Sequence, residues 1–386
     1  MRTYISLFSS AGVGCYGFQL AGFECVATNE LLKERLEVQR INGKCKYDTG
    51  YICGDARSDE THQSIFDEIN RWKENEGLKR VDVVFATPPC QGISSVNYKK
   101  HSDEKKRNSL VVEAVKLIKE IRPQVFVIEN VRSFMTTVCT DVDGNDTTIA
   151  ECILNHLSGV YRIEYKVINF CEYGVPSSRP RTLVIGVDRE LDVDPVLLFP
   201  QQEPKIPLRE SIGKLEPLGY CEKSKTDPFH FARPFPEYML EWISDLKEGE
   251  TAFNNPPEKR PYHFDKKGNR VTNEGAYIGN KYRRLFWDRP SACVHTRSDC
   301  LSSQDTIHPR DNRVLSIREL MILMTIPVQF KWTKDDEDLW ENISDEKTEA
   351  YLKKHEMNIR RCIGEAVPTM ICYDIAELIK KRLGNQ

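Results

Sequence analysis

The stretch Pro88-Pro89-Cys90-Gln91-Gly92 places a cysteine where it could act as a nucleophile. It directly follows the apolar run of residues 81–86, which the pattern predicts as a strand. Two prolines stiffen the loop and cannot continue a strand, so Cys90 is held at the strand's carboxyl end. That position suits a reactive thiolate, whereas most of the chain's 13 cysteines are expected to be buried packing residues.

A second group of polar residues follows the next apolar run, residues 125–128. Glu129 and Asn130 come directly after this predicted strand, where a carboxylate is placed to give or hold a proton. Taken alone, Glu129 would also fit a helix cap. Arg179 and Arg181 add two cations beside a further strand.

The residues from Phe8 to Gly14 form a small, glycine-containing turn between a predicted strand (residues 4–8) and a short helix. Small residues there let the backbone approach a ligand closely. Glu30 closes the next strand, where an acid can accept hydrogen bonds from ribose hydroxyls, and Asp55 could hold an adenine amino group. The turn alone would equally fit an unrelated nucleotide-binding oxidoreductase.

The elements that carry these groups alternate between strand and helix. Strands are predicted at residues 4–8, 24–28, 81–86 and 125–128, and helices at residues 31–41 and 110–121. This alternation predicts an α/β fold with a doubly wound, mostly parallel sheet of Rossmann type, whose ligands lie at the carboxyl ends of the strands.

The pattern breaks after residue 188, and helical spacing returns at residues 316–325 and 367–383. We therefore predict a catalytic and cofactor-binding domain (1–188), a smaller inserted domain (189–312) and elements returning to the first domain (313–386).

The formal charge is −3, but residues 258–313 hold twelve Lys or Arg against seven Asp or Glu. This local excess is typical of a face that meets phosphates, although a solvated surface would have the same composition. No apolar run is long enough for a membrane span and no leader precedes the first strand, so we predict a cytoplasmic protein. No Cys-x-x-Cys pair is present, so we predict no metal site.

In their order along nearly the whole chain, these residues resemble the cytosine-5 DNA methyltransferases. The matching segments are residues 8–14, 30, 54–55, 88–92, 107–110, 129–131, 173–181, 313–319 and 364–368. The resemblance implies methyl transfer from S-adenosyl-L-methionine to carbon 5 of a cytosine flipped out of double-stranded DNA, through a covalent Cys90 adduct. It also makes residues 189–312 a target-recognition domain, and implies a monomeric enzyme of restriction-modification type with a cognate restriction endonuclease as partner.

The resemblance assigns roles to individual residues. The implied catalytic residues are Cys90, Glu129, Asn130, Arg179 and Arg181. The implied cofactor-binding residues are Phe8, Ser10, Ala11, Gly12, Gly14, Glu30, Leu31, Asp55, Pro88, Glu365 and Val367. The implied DNA-binding residues are Gln91, Ser94, Lys99, Lys100, Arg283, Arg284 and Arg297.

Three positions depart from the family pattern: Ser177 stands in place of Gln, Leu31 in place of Trp and Glu365 in place of Asn. They bear on base-loop hydrogen bonding, adenine stacking and cofactor binding, respectively. Two other functions share most of the pattern, a transfer-RNA cytosine-5 methyltransferase and a catalytically inactive DNA-binding homologue. The 131 residues between Arg181 and Arg313 favour DNA, and the presence of Cys90 and Glu129 favours activity.

Overall fold

The computed structural model describes residues 1–89, 104–272, 279–341, 343 and 346–384, without the side chains of residues 104–109 and 337. Its strands are β1 Arg2–Leu7, β2 Phe23–Glu30, β3 Tyr51–Cys53, β4 Val83–Ala86, β5 Val125–Val131, β6 Val138–Thr140, β7 Asp146–Thr148, β8 Tyr161–Asn169, β9 Pro180–Asp188, β10 Tyr262–Phe264 and β11 Arg270–Thr272. Its α-helices are α1 Tyr16–Leu20, α2 Lys33–Ile41, α3 Asp59–Glu76, α4 Glu104–Ile121, α5 Ile149–Leu157, α6 Leu208–Ile212, α7 Leu240–Ile243, α8 Ile317–Leu323, α9 Asp336–Glu341, α10 Glu346–Glu365 and α11 Thr369–Leu383.

A seven-stranded sheet in the order β3-β2-β1-β4-β5-β9-β8 confirms the predicted α/β fold. The pairs from β3 to β5 are parallel, whereas β9 runs antiparallel to both β5 and β8. All four residues of β4 are buried, as expected for an apolar strand covered on both faces. The reversal of β9 brings Arg181 opposite Val131, at the end of β5.

Most of the predicted elements begin and end within two residues of their predicted limits, but α4 begins six residues earlier, β5 ends three residues later, and α3 was not predicted. β1 ends at Leu7 because Phe8 adopts a left-handed backbone conformation (φ 56°). α2 begins at Lys33 because Leu32 is still extended. α3 follows Ser58, whose hydroxyl accepts a hydrogen bond from the Thr61 amide and so caps the helix.

The chain folds into two compact units. The first comprises residues 1–173, 180–203 and 366–386, and the second comprises residues 174–179 and 204–365. The second unit includes residues 313–365, which we predicted to return to the catalytic domain. The functional domain limits stay a prediction. Within the part of the chain that the structure describes, every helix is too short or too polar to span a bilayer.

An aromatic cluster forms part of the core of the second unit. The Trp242 ring packs edge-on against Tyr262 and Tyr282, with centroids 5.2 and 5.7 Å apart. Trp287 is buried and packs edge-on against His308 at 5.3 Å. Phe286 is half-buried beneath the Arg289 guanidinium.

A buried network of charges lies in the same unit. The Arg313 guanidinium, 1% exposed, donates from Nη1 and Nη2 to the two carboxylate oxygens of Glu319 at 2.7 and 2.8 Å. Its Nη2 also donates to Asp311 Oδ2 at 2.9 Å. Glu319 in turn accepts from the Ser316 amide at 2.6 Å, in the capping box that begins α8. Each carboxylate is therefore held in its charged form.

The same network shifts three pKa values downward. Burial lowers the pKa of His308 to about 4. Burial alone would raise the pKa of Glu319, but the Arg313 guanidinium outweighs it and holds that pKa at about 2. Burial is likewise outweighed at Asp311, where the hydrogen bond from Arg310 contributes most to lowering the pKa to about 2.

We expect these shifts to make the second unit sensitive to acid. Between pH 6.5 and about 4 the unfolded chain binds a proton at His308 that the folded chain does not. The free energy of unfolding therefore decreases as the pH is lowered through this range, by on the order of 3 kcal/mol. Glu319 and Asp311 have depressed folded pKa values, so their contribution is present above about pH 4 and is lost as pH falls towards 2.

Urea unfolding followed by tryptophan fluorescence at successive pH values measures this dependence. A His308→Gln variant should show a flatter slope between pH 6.5 and 4.5 than the unchanged protein. Equal slopes in the two proteins would contradict the assignment to His308.

Candidate active site

The turn after β1 has the backbone that the small residues allow. Ser10 and Gly12 have φ values of 45° and 78°. A Cβ on Gly12 would lie 2.7 Å from Gln39 Cγ, so this position is tightly restricted to glycine. The Phe8 carbonyl accepts a hydrogen bond from Thr87 Oγ1 at 2.9 Å, which ties the turn to the residue after β4.

Buried polar side chains stabilise this turn by hydrogen bonds. Gln39 Nε2 donates to Ser9 Oγ at 2.8 Å and to the Ser10 carbonyl at 2.6 Å. Thr28 Oγ1 lies 2.9 Å from Ser9 Oγ, and Lys44 Nζ donates to Thr28 Oγ1 and Gln39 Oε1 at 2.9 and 2.8 Å. Sequence reasoning did not identify Gln39, Thr28 or Lys44; the available signal was a glutamine on the buried face of α2.

Glu30 lies at the end of β2, as predicted, with its carboxylate turned to the glycine-containing turn. Its Oε2 accepts from the Ser10 amide at 2.8 Å and its Oε1 from the Leu32 amide at 3.1 Å. Leu31 is 62% exposed. Asp55 follows β3 and accepts from the Arg57 amide and Nε, both at 2.9 Å, and this hydrogen bonding lowers its pKa.

The first residue of α11 and a residue just before this helix pack against the turn. Ala11 is buried, and a Cβ on Gly14 would lie 3.0 Å from Val367 Cβ. Thr369 Oγ1 donates to the Val13 carbonyl at 3.0 Å. Val367 therefore packs behind the turn, in the first unit.

The predicted acid and its neighbours come together at the carboxyl end of the sheet. Arg181 Nε lies 3.1 Å from Glu129 Oε1, and the Glu129 and Arg181 side chains are only 9% and 16% exposed. Asn130 Nδ2 donates to the Pro88 carbonyl at 2.8 Å, and its Oδ1 accepts from the Val131 amide at 2.8 Å. β4 and β5 are thus joined beyond their last paired residues, shortly before position 90.

Arg179 belongs to the second unit, and its guanidinium donates to the main chain there. Its Nη1 donates to the Val294 carbonyl at 2.7 Å and its Nη2 to the Gly364 carbonyl at 3.1 Å. Ser177, which replaces the usual Gln, is fully buried and donates to the Ala292 carbonyl at 3.1 Å. Glu365 is exposed at the end of α10.

The predicted DNA-binding residues divide into three groups. Arg284 is 3% exposed, and its guanidinium donates to the carbonyls of His308 and Ile243 at 2.9 and 2.8 Å. The prediction that Arg284 contacts DNA is therefore wrong, because its guanidinium stabilises the core. Arg283 and Arg297 are at least partly exposed, and each pairs with an aspartate. Outside the described residues lie Cys90, Gln91, Ser94, Lys99 and Lys100.

Comparisons with known proteins bear on this arrangement. The model of the family described as C-5 cytosine-specific DNA methylase matches residues 2–381. The chain is 29% identical to the Type II methyltransferase M1.HgaI of Avibacterium volantium, over 97% of each protein. It is 27% identical to the Type II methyltransferase M1.HphI of Haemophilus parahaemolyticus, over 100% of this chain and 88% of that protein.

Solved structures show the same fold. The methyltransferase EhMeth of Entamoeba histolytica superposes with a TM-score of 0.58 at 12% identity, over 100% of this chain and 99% of that chain. The Dnmt2 methyltransferase of S. pombe superposes with a TM-score of 0.54 at 14% identity, over 98% and 97%.

Proposed function

The chain belongs to the C-5 cytosine-specific DNA methylase family, and we propose that Cys90, Glu129 and Arg181 carry out its reaction. The enzyme is a DNA cytosine methyltransferase that uses S-adenosyl-L-methionine. The main support for these residue roles is the joined end of β4 and β5. There the Glu129–Arg181 pair lies next to the Asn130–Pro88 bond, two residues before Cys90.

In the proposed reaction, the Cys90 thiolate forms a bond to carbon 6 of a flipped cytosine. The ring electrons move towards carbon 5, which would then bond the methyl group as the bond from that methyl group to sulfur breaks and its electron pair stays on sulfur. Loss of the carbon-5 proton to a base and of the thiolate from carbon 6 restores the aromatic ring. A thiol suits both steps because it adds readily and also leaves.

Glu129 and Arg181 would act on the opposite edge of the base. Glu129 gives a proton or hydrogen bond to ring nitrogen 3, which offsets the charge that thiolate addition places on the ring. Arg181 orients the carboxylate through Nε and holds the base carbonyl. Asn130 fixes the backbone before Cys90. Because the Arg179 guanidinium donates to the Val294 and Gly364 carbonyls, we propose that Arg179 stabilises the main chain of the second unit instead of holding the base.

The residues at the glycine-containing turn fit S-adenosyl-L-methionine. The turn exposes backbone where side chains would block a ligand, and Ser10 holds the Glu30 carboxylate towards it for ribose hydroxyls. Asp55 is partly exposed and ionised, so its carboxylate can accept a hydrogen bond from an adenine amino group. When bound, the cofactor supplies an electrophilic methyl group on a sulfonium centre.

We further propose that Arg283 and Arg297, with Lys99 and Lys100, contact DNA phosphates, and that the second unit recognises the target sequence. The relatives' names, Type II methyltransferases, support a cognate restriction endonuclease that acts on the same sequence. We propose that the enzyme works as a monomer in the cytoplasm.

The substrate is tested with labelled S-adenosyl-L-methionine offered to duplex DNA and, separately, to transfer RNA. We expect label in DNA alone. Label in transfer RNA alone would overturn the substrate assignment, and label in neither would favour an inactive homologue. Bisulfite sequencing of DNA from an expressing host then reports the methylated sequence, and a restriction enzyme of that specificity should fail to cut this DNA.

A further inference from the structure

A cluster of four potential metal ligands lies away from the site described above, where the β6–β7 hairpin meets α5. Cys139 and Asp141 stand two positions apart, in β6 and just after it. Cys152 and His156 stand four positions apart on α5, which places them on one face of the helix. Both thiols are fully buried, and the Asp141 and His156 side chains are 7% and 10% exposed.

Three of the four side chains bring a ligand atom close to one another, and Cys139 lies outside this group, beside Cys152. One ligand atom each of Asp141, Cys152 and His156 lies within 4.8 Å of the other two. His156 Nε2 lies 2.8 Å from Asp141 Oδ1. The Cys139 thiol is within hydrogen-bonding reach of the Cys152 thiol.

We propose that Asp141, Cys152 and His156, with Cys139 as the fourth ligand, form a structural Zn²⁺ site. Thiolate, imidazole and carboxylate are the ligands that zinc takes in tetrahedral sites, whereas Mg²⁺ and Ca²⁺ require oxygen ligands. The absence of Cys-x-x-Cys led us to predict no metal site, but these ligands use a different spacing, because a hairpin and a helix each contribute one pair.

The hydrogen bonds within the cluster set the protonation of its side chains in the absence of a metal. Burial alone would raise the pKa of Asp141, but hydrogen bonds from Cys152 and the Val142 amide and the His156 ring together lower it, so the carboxylate is ionised. The hydrogen bond to Cys152 lowers the pKa of Cys139 and raises that of Cys152. Zinc binding would release the remaining thiol protons, as it does at structural sites.

Zinc would link the β6–β7 hairpin to α5. β6 also packs against α4, so the metal would stabilise several neighbouring elements of the first unit. It would make no contact with the glycine-containing turn. Two ordinary explanations compete with it. The cluster could be a set of hydrogen bonds without a metal, or Cys139 and Cys152 could form a disulfide on oxidation.

Metal analysis of the untagged full-length protein, purified with zinc in the medium, tests the site. We expect about one zinc per chain. A Cys152→Ser/His156→Gln variant should fall to background, whereas the matched variant Cys221→Ser/His263→Gln, at an exposed cysteine and an exposed histidine of the second unit, should keep its zinc. Cobalt added to metal-free protein should give a thiolate-to-cobalt charge-transfer band that the first variant lacks.

A second measurement keeps the test valid should the variant fail to fold. Removing zinc from the unchanged protein with a chelator should lower its Tm by roughly 5 °C or more, and Zn²⁺ but not Mg²⁺ should restore it. Protein with no bound zinc, no cobalt band and no response to Zn²⁺ would overturn the proposal. So would a Cys139–Cys152 disulfide in the protein as purified with zinc in the medium, detected as two thiols that become titratable only after a reductant is added.

Discussion

Methyl transfer by a Cys90→Ser variant is expected to fall by at least roughly 10⁴-fold. A serine hydroxyl is almost entirely protonated at neutral pH, so it cannot add to carbon 6 as a thiolate can. The rate is measured as label passed from S-adenosyl-L-methionine to duplex DNA. Cys221→Ser, at an exposed cysteine of the second unit, should keep full activity.

Two further readouts separate a chemical role of Cys90 from a structural one. The Cys90→Ser variant should still bind duplex DNA and S-adenosyl-L-methionine. DNA with 5-fluorocytosine at the target should trap the unchanged enzyme in a complex that survives denaturation, because fluorine replaces the proton that must leave carbon 5. Activity above about a tenth of normal in Cys90→Ser, or no trapped complex, would contradict the proposed nucleophile.

The Arg313→Met variant is expected to destabilise the second unit by about 3–5 kcal/mol. The substitution removes the guanidinium that neutralises Glu319 and Asp311, and leaves two buried carboxylates without it. Four of the five tryptophans lie within residues 204–365, so tryptophan fluorescence during urea unfolding mainly reports on this unit.

Arg310→Met is the matched control. Arg310 also pairs with Asp311, at 2.7 Å, but its side chain is 45% exposed, so its loss should cost less than about 1 kcal/mol. Equal destabilisation by both variants would show that burial of the charges is not the cause. The double variant Arg313→Met/Glu319→Leu should lose less stability than the two single variants together, because Asp311 is then the one carboxylate of the two left without the guanidinium.

The position of the candidate site could be predicted from the sequence because it follows from the order of the strands. A run such as residues 83–86, apolar on both faces, marks a central strand of a parallel sheet, and the polar residues after it must lie at the sheet's carboxyl edge. Glu30 and Glu129 were placed at strand ends in this way. In the structure Glu30 closes β2, whereas Glu129 lies within β5, which runs three residues further than predicted, to Val131.

The partners of these residues could not be predicted in the same way. An apolar run such as β9 does not encode the direction of its strand, and only the antiparallel pairing with β5 brings Arg181 to Glu129. Arg284 carries the same charge as an exposed DNA-binding arginine, and only tertiary contacts show that its guanidinium donates to buried carbonyls. Gln39 belongs to no recognisable sequence motif, because its role is to donate a hydrogen bond to the Ser10 carbonyl, 29 residues earlier in the chain.

The packing of α11 against α1 has a consequence for the order in which the protein is made. Gly17 lies so close to this helix that a Cβ would meet the Thr369 carbonyl oxygen at 2.4 Å, so α1 and α11 pack with their backbones in close approach. Residues 366–384 follow residues 204–365 in the chain, and a ribosome needs on the order of 10–30 s to synthesise the intervening segment. During that interval the glycine-containing turn after β1 is not yet packed against α11 and the residues just before it. The nascent enzyme therefore acquires a complete cofactor site only after the whole second unit has been synthesised.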